Sequence, residues 1–157
     1  MDDNENHHHN NNNNYFAYGS NMSTARLQER IPEACPLGRA RIHGVRLDFN
    51  KVGVDGSGKA NLSPYANAIA WGVLFAVRTE DWLVLDRFEP GYERQHCELT
   101  LDSGEAIRAQ VYLGIGRLTP TPPHDWYREH LLTGAREHGL PEDVIVEINR
   151  LQSNRSE

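Results

Sequence analysis

Residues 68–77 read Ala, Ile, Ala, Trp, Gly, Val, Leu, Phe, Ala and Val, without one charged side chain. A half-exposed strand would alternate apolar with polar, so a short continuous run of this kind is read as a strand buried on both faces. Such a strand needs apolar cover on two sides, and the core is therefore expected to centre on it.

The segments around it supply that cover. Residues 15–17 form a short apolar strand that stops at Gly19, and Ser23 or Thr24 can cap a helix running to Arg30, with Met22, Leu27 and Ile31 on one face and Pro32 and Pro36 closing it. Residues 41–50 alternate as a strand, the Gly-rich stretch 53–58 reads as a loop, and 60–62 gives a further strand separate from 68–77. Trp82, Leu85 and Phe88 fall at helical spacing over 80–88, with Thr79 as the expected N-cap. Strands 96–101 and 106–113 flank Asp102, Ser103 and Gly104 as a hairpin. After the Pro-rich 119–123 loop come a helix over 125–138, Gly139 as its C-cap, and a last helix over 141–151. Hairpins outnumber strand-helix-strand crossovers, so the expected class is α+β: a mixed, mostly antiparallel, barrel-like sheet with several packed helices.

Residues 1–14, acidic and then rich in His and Asn, hold nothing that fills a core and are expected to be a disordered tail; 15–152 form a single domain and 153–157 a C-terminal tail. His7, His8 and His9 on that leader are not taken as a metal site. With 16 Lys and Arg against 22 Asp and Glu, and the basic residues scattered, nucleic acid is not an expected partner. No apolar run approaches the roughly 18 residues of a membrane span, and the N-terminus lacks the basic-then-apolar order of a signal peptide. Cys35 and Cys97, far apart, build neither a disulfide framework nor a cysteine zinc site, which suits a reducing cytoplasm.

Candidate chemistry gathers at two places. Gly19, Ser20 and Asn21 stand between a strand end and a helix start, where backbone N–H groups are presented to an anion or a developing oxyanion. Taken alone, that string is an ordinary capped turn. Glu89 stands at a helix end beside Phe88 and Pro90, where partial desolvation would raise its pKa toward the working range of a proton shuttle. Taken alone, it is a solvated surface charge.

Together, Tyr15-Phe-Ala-Tyr-Gly-Ser-Asn-Met22 is very similar to the hallmark of the gamma-glutamylcyclotransferase family. The likeness continues in order through residues 40–50 with Leu47-Asp48-Phe49, then 60–62, Trp71-Gly72-Val73, 85–91, Val111-Tyr112-Leu113 and the weaker Gly139-Leu140-Pro141. The resemblance implies the family's fold and an enzyme that cyclises a small gamma-glutamyl substrate to 5-oxoproline, releasing an amino acid or amine, with no cofactor and no metal. It places the acid/base at Glu89, the glutamyl moiety on the amides of Gly19, Ser20 and Asn21, and Tyr18 and Tyr112 in the pocket. Tyr92 follows Glu89 after only Pro90 and Gly91, a shorter spacing than the family's, on the leaving-group side. A non-catalytic module keeping a gamma-glutamyl pocket is the alternative from another class, and the leaving group stays open among dipeptides, glutathione and gamma-glutamyl amines.

Other candidates fall away on spacing. His96 and Cys97 are adjacent in a strand and point to opposite faces, so they form no base and nucleophile pair. His124, His130 and His138 lack the i, i+4 spacing of a helical metal pair and are expected at the surface. Asp81 and Asp86 lack any companion feature of a glycosidase.

Overall fold

The computed structural model describes residues 11–150. Strands β1 (Asn14–Ala17), β2 (Cys35–Val52), β3 (Gly58–Ala76), β4 (Tyr92–Leu101) and β5 (Ala106–Gly114) are joined by helices α1 (Thr24–Arg30), α2 (Asp81–Phe88), α3 (Asp125–Glu137) and α4 (Glu142–Arg150), with 3-10 turns at Asn11–Asn13 and Ser20–Met22. The strands close into a barrel in the order β1-β3-β2-β4-β5. All pairings are antiparallel except β1 with β5, which meet in parallel at Tyr15 and Gln110. This is the α+β barrel that the sequence pattern implies.

The apolar run lies in the C-terminal half of β3, paired with β1 on one edge and β2 on the other. Val73, Leu74 and Phe75 are all buried, and Phe75 meets Tyr15 at a ring separation of 6.4 Å and His138 at 5.9 Å. Both faces are thus covered over residues 72–75, whereas Ile69 near the start of the run is 47% exposed, so the run is buried only in its later part.

Ser23 caps α1, its hydroxyl accepting the Arg26 N–H at 3.4 Å. At the far end of α3, Gly139 takes φ 67° while Leu140 N–H reaches Ala135 O at 2.9 Å, the pairing of a Schellman motif.

Four local expectations are corrected. The strands expected at 60–62 and 68–77 are one strand, because Ser63 and Pro64 stay in register with Arg46 and Val45 and a bulge then absorbs the next residues. That bulge sits between Gly44 at φ 85° and Asn67 at φ 68°. Strand β2 starts at Cys35, since Pro36, expected as a helix breaker, pairs with Phe75 beside a register shift at Gly38. Glu80 rather than Thr79 occupies the N-cap of α2; Thr79 donates to Asn13 Oδ1, and the buried Asp81 carboxylate accepts the Arg78 N–H at 2.9 Å. The expected tail of 1–14 ends early. Asn12 O accepts from Trp82 Nε1 at 2.7 Å, Asn13 O accepts the Val77 N–H at 2.9 Å, and Asn14 is buried in β1. Composition misjudges these asparagines because they join the domain mainly through backbone carbonyls. Residues 1–10 and 151–157 lie outside the described residues, and no helix among those described is long and apolar enough to cross a membrane.

Helix α3 lies against the Ser20–Met22 turn, and the approach is backbone-close: a Cβ at Gly134 would stand 2.5 Å from Met22 C and 2.7 Å from Ser23 N. Gly134→Ala therefore forces the turn and the helix apart. We expect a loss of about 1–3 kcal/mol in urea unfolding, whereas helix propensity alone would give a gain of up to ~1 kcal/mol. A more stable variant would contradict this packing.

Candidate active site

Strand β1 delivers Tyr18 and Gly19 to one rim of the barrel, and the 3-10 turn that follows turns the chain into α1. Gly19 has little room for a side chain, since a Cβ there would come within 3.2 Å of Ala60 Cβ and 3.3 Å of the Tyr127 hydroxyl. A helical turn leaves its first N–H groups without intrahelical acceptors, and the amides of Gly19, Ser20 and Asn21 have no backbone acceptor among the described residues. On the opposite side α2 stops at Glu89, whose N–H bonds Asp86 O at 3.3 Å, and Gly91 at φ 84° reverses the chain into β4. Turn and helix end face each other across a cleft of about 580 Å³.

The cleft brings together the residues that the resemblance assigns to the pocket: Tyr18, Gly19, Ser20, Asn21, Glu89, Tyr92 and Tyr112 all line it. Asn21 makes the bridge between the two sides. Its Nδ2 donates to the Tyr15 hydroxyl at 3.0 Å and reaches Glu89 Oε2 at 3.5 Å, and its Oδ1 accepts from Arg30 Nη1 at 3.3 Å. Arg30 Nη1 stands 3.9 Å from Glu89 Oε2, with the Glu89 side chain 17% exposed.

Burial pushes the Glu89 carboxyl up to about 7, against the pull of Arg30 and then Arg26 in the other direction. The phenols of Tyr15, Tyr18, Tyr92 and Tyr127 are raised well above their ordinary value, first by burial, and so remain protonated.

Their hydroxyls divide into two groups. Tyr18 donates to Tyr112 O, Tyr92 to Ala60 O at 2.6 Å, and Tyr112 to Asp86 Oδ1 at 2.6 Å. These three are committed to the frame of the site. Tyr15 accepts from Asn21 and Tyr127 accepts the Ala60 N–H at 3.0 Å, so the proton of each is free to serve a ligand. The donors suited to a substrate are thus Tyr15 and Tyr127, rather than Tyr18, Tyr92 or Tyr112.

Sequence reasoning missed Arg26, Arg30, Lys51, Lys59 and Tyr127, all of which line the cleft. Arg26 and Arg30 were detectable, being four apart on the helix that starts at the motif and hence on one face. Arg26 Nε bonds Ser20 Oγ at 3.0 Å and its guanidinium lies 5.7 Å from the Trp126 ring centroid. Tyr127 carries no local signal, because it reaches the cleft only through the docking of α3.

The discounted candidates lie elsewhere. Burial pushes the Cys97 thiol up to about 12, which leaves no thiolate near neutrality. Asp86 is held by Tyr112 and Arg94. The histidines are more covered than expected: His138 has a side chain 9% exposed, packed on Phe75 with Nε2 3.1 Å from Thr24 Oγ1. Among the described residues no group of three His, Cys, Asp or Glu could hold a metal ion.

Comparison with known proteins gives a consistent result. Residues 15–128 match the family model described as gamma-glutamyl cyclotransferase, AIG2-like. The chain is 29% identical over 149 residues to a gamma-glutamylcyclotransferase of Bos taurus, covering 89% of this chain and 79% of the relative. It is 28% identical to that of Homo sapiens over the same length and shares. It superposes on the crystal structure of the uncharacterized protein loc79017 from Homo sapiens with a TM-score of 0.85 at 27% identity, covering 92% of this chain and 90% of that one. A solved gamma-glutamyl cyclotransferase also gives a TM-score of 0.85, at 26% identity, over 91% of this chain and 89% of that chain.

The raised pKa of Glu89 has a cost in stability. The unfolded carboxyl releases its proton near 4.5 and the folded one near 7, so between these values the unfolded chain binds fewer protons and stability falls as pH rises. Glu89→Gln removes that penalty. We expect the variant to gain up to about 3 kcal/mol over wild type at pH 8 and almost nothing at pH 4 in denaturant unfolding. Equal stabilities at pH 8 would contradict a desolvated carboxyl.

Proposed function

The chain belongs to the gamma-glutamyl cyclotransferase, AIG2-like family, and we propose that it closes the α-amine of a gamma-glutamyl compound onto its own γ-carbonyl, releasing 5-oxoproline and an amino acid. The observation that carries this reading is a buried carboxyl, Glu89, set in one cleft with the Gly19 to Asn21 turn, burial pushing it up to about 7.

The chemistry asks little of a protein. The attacking amine and the carbonyl belong to one molecule, and such intramolecular arrangements are worth up to roughly 7–11 kcal/mol of the barrier. Glu89 as carboxylate takes a proton from the α-ammonium, and the freed amine attacks the γ-carbonyl. The tetrahedral oxyanion is met by the amides of the Gly19 to Asn21 turn and the hydroxyls of Tyr15 and Tyr127. Glu89 then returns the proton to the leaving nitrogen as the C–N bond breaks. The ring nitrogen keeps two hydrogens after the attack, and the second passes through the same carboxyl to the departing amine, which ends as an ammonium; no water is consumed. A pKa near the working pH suits a group that must both accept and donate.

Charge supports an anionic substrate. Arg26, Lys51 and Lys59 line the cleft with Asp55, while the charge of Arg30 is set against Glu89. Asp55 is held down to about 2, first by the Ser57 backbone N–H, and is paired with Lys59 at 3.3 Å, so it adds no unbalanced negative charge. Lys51 lies over Gly91, two residues beyond Glu89, on the side to which the cyclase reading assigns the departing group. This surplus favours a leaving group that carries its own carboxylate, an amino acid or peptide rather than a plain amine. The free Cys35 and Cys97 fit a reducing, cytoplasmic setting.

The test is 5-oxoproline release from gamma-glutamyl dipeptides, glutathione and gamma-glutamyl amines, with wild type beside Glu89→Gln. Wild type should turn over the dipeptides, and Glu89→Gln should lose on the order of 10²–10⁴ in kcat, the scale of a lost acid/base group. Saturable dipeptide binding without product from wild type would instead identify a binding module. Lys51→Gln should raise KM for dipeptides by roughly 3–10-fold while leaving gamma-glutamyl amines unaffected. An equal effect on both substrate types would remove Lys51 from leaving-group recognition.

A further inference from the structure

Asn21 is 4% exposed, and its carboxamide is held at both ends. A guanidinium carries donors and no acceptor, so the Asn21 atom facing Arg30 Nη1 at 3.3 Å has to be the oxygen. That contact fixes which way the amide points. Its NH₂ is then aimed at the Tyr15 hydroxyl and at Glu89 Oε2. Arg30 is itself held by the Phe88 ring, 4.6 Å from its guanidinium, and Phe88 immediately precedes Glu89. One side chain from α1 therefore grips the turn through Asn21 and the end of α2 through Phe88, with its charge 3.9 Å from the carboxylate.

Resting on the cyclase reading, we propose that Arg30 is a positioning residue for Glu89: it fixes the Asn21 carboxamide with its NH₂ toward the carboxylate and ties α1 to the end of α2. Glu89 is thereby presented to the cleft in one orientation, as a hydrogen-bond acceptor. Without Arg30 the amide is free to turn its oxygen to Glu89, an arrangement that favours the protonated acid, and the nearby cation is lost as well. Both changes make Glu89 hold its proton to higher pH. The other groups that face Glu89 leave that sign unchanged. Arg26, also from α1, pulls the same way as Arg30, and the phenols of Tyr15 on β1, Tyr18 after it, Tyr92 on β4 and Tyr127 on α3 stay neutral.

The experiment follows the Glu89 carboxyl by ¹³C NMR through a pH titration of the full chain, in wild type, Arg30→Met and Arg30→Lys, beside pH profiles of 5-oxoproline release. Arg30→Met should move the Glu89 midpoint up by about one pH unit. The acid limb of kcat/KM should move with it, activity should return toward wild type on the alkaline side, and KM should change little. Arg30→Lys, which keeps a cation and only donors, should restore most of the wild-type midpoint. Should Arg30→Met not fold, Arg30→Gln carries the same expectation. A Glu89 midpoint unmoved by loss of Arg30 overturns the proposal, and a large rise in KM alongside it assigns Arg30 to gripping the substrate carboxylate instead. The NMR reading needs no turnover, so a wild type that makes no 5-oxoproline would defeat the cyclase reading and leave the Arg30 result to stand on its own.

Discussion

Strand β1 is paired along both edges, antiparallel to β3 from Asn14 opposite Ala76 to Ala17 opposite Val73, and parallel to β5 at Tyr15. That double pairing closes the barrel, and it also determines where the chain leaves the barrel at Tyr18. Everything in the cleft is referred to this exit. The Tyr15 ring is fixed among Phe75, Trp82 and Tyr112, at separations of 6.4, 6.0 and 5.9 Å. Its hydroxyl can therefore receive the Asn21 amide, which also reaches Glu89. Were β1 free on either edge, turn and helix end would lose their common reference.

The site then depends on two opposed electrostatic effects. Burial disfavours the charged form of Glu89, and the two arginines of α1 favour it, which leaves the carboxyl balanced near neutrality. Neither effect alone would serve a proton shuttle: a solvated Glu is a weak base at neutral pH, and a buried, unpaired one stays protonated. The surrounding phenols, held neutral by their own burial, add dipoles without adding charge. A carboxyl held this way lowers the stability of the fold as pH rises toward 7, a cost that the proposed proton shuttle would carry.

Much of this was legible in the sequence because local chemistry and tertiary structure agree there. The run that gave β3 its buried half, Ser23 as a cap, Gly139 as a C-cap and the Asp102 to Gly104 hairpin each answer to a local rule. The Tyr15 to Met22 motif and Glu89 pointed to residues that line one cleft. What stayed hidden depended on partners distant in sequence. Pro36 read as a breaker but sits beside a bulge, whose position is set by the pairing of β2 with β3. The asparagines at 12–14 read as low complexity, yet Trp82, Val77 and β5 call on their backbone oxygens. Tyr127 enters the cleft only because Gly134 lets α3 lie close on the turn. The commitment of the Tyr18 and Tyr112 hydroxyls to the frame is likewise a matter of three-dimensional neighbours, Tyr112 O and Asp86.

The central claim is that Glu89 promotes an attack within the substrate rather than attack by water. The most direct measurement is turnover of a gamma-glutamyl dipeptide in H₂¹⁸O with mass analysis of the products. The account predicts 5-oxoproline free of ¹⁸O, one equivalent of released amino acid and no glutamate. Glutamate carrying ¹⁸O in its γ-carboxyl would show hydrolysis and contradict it.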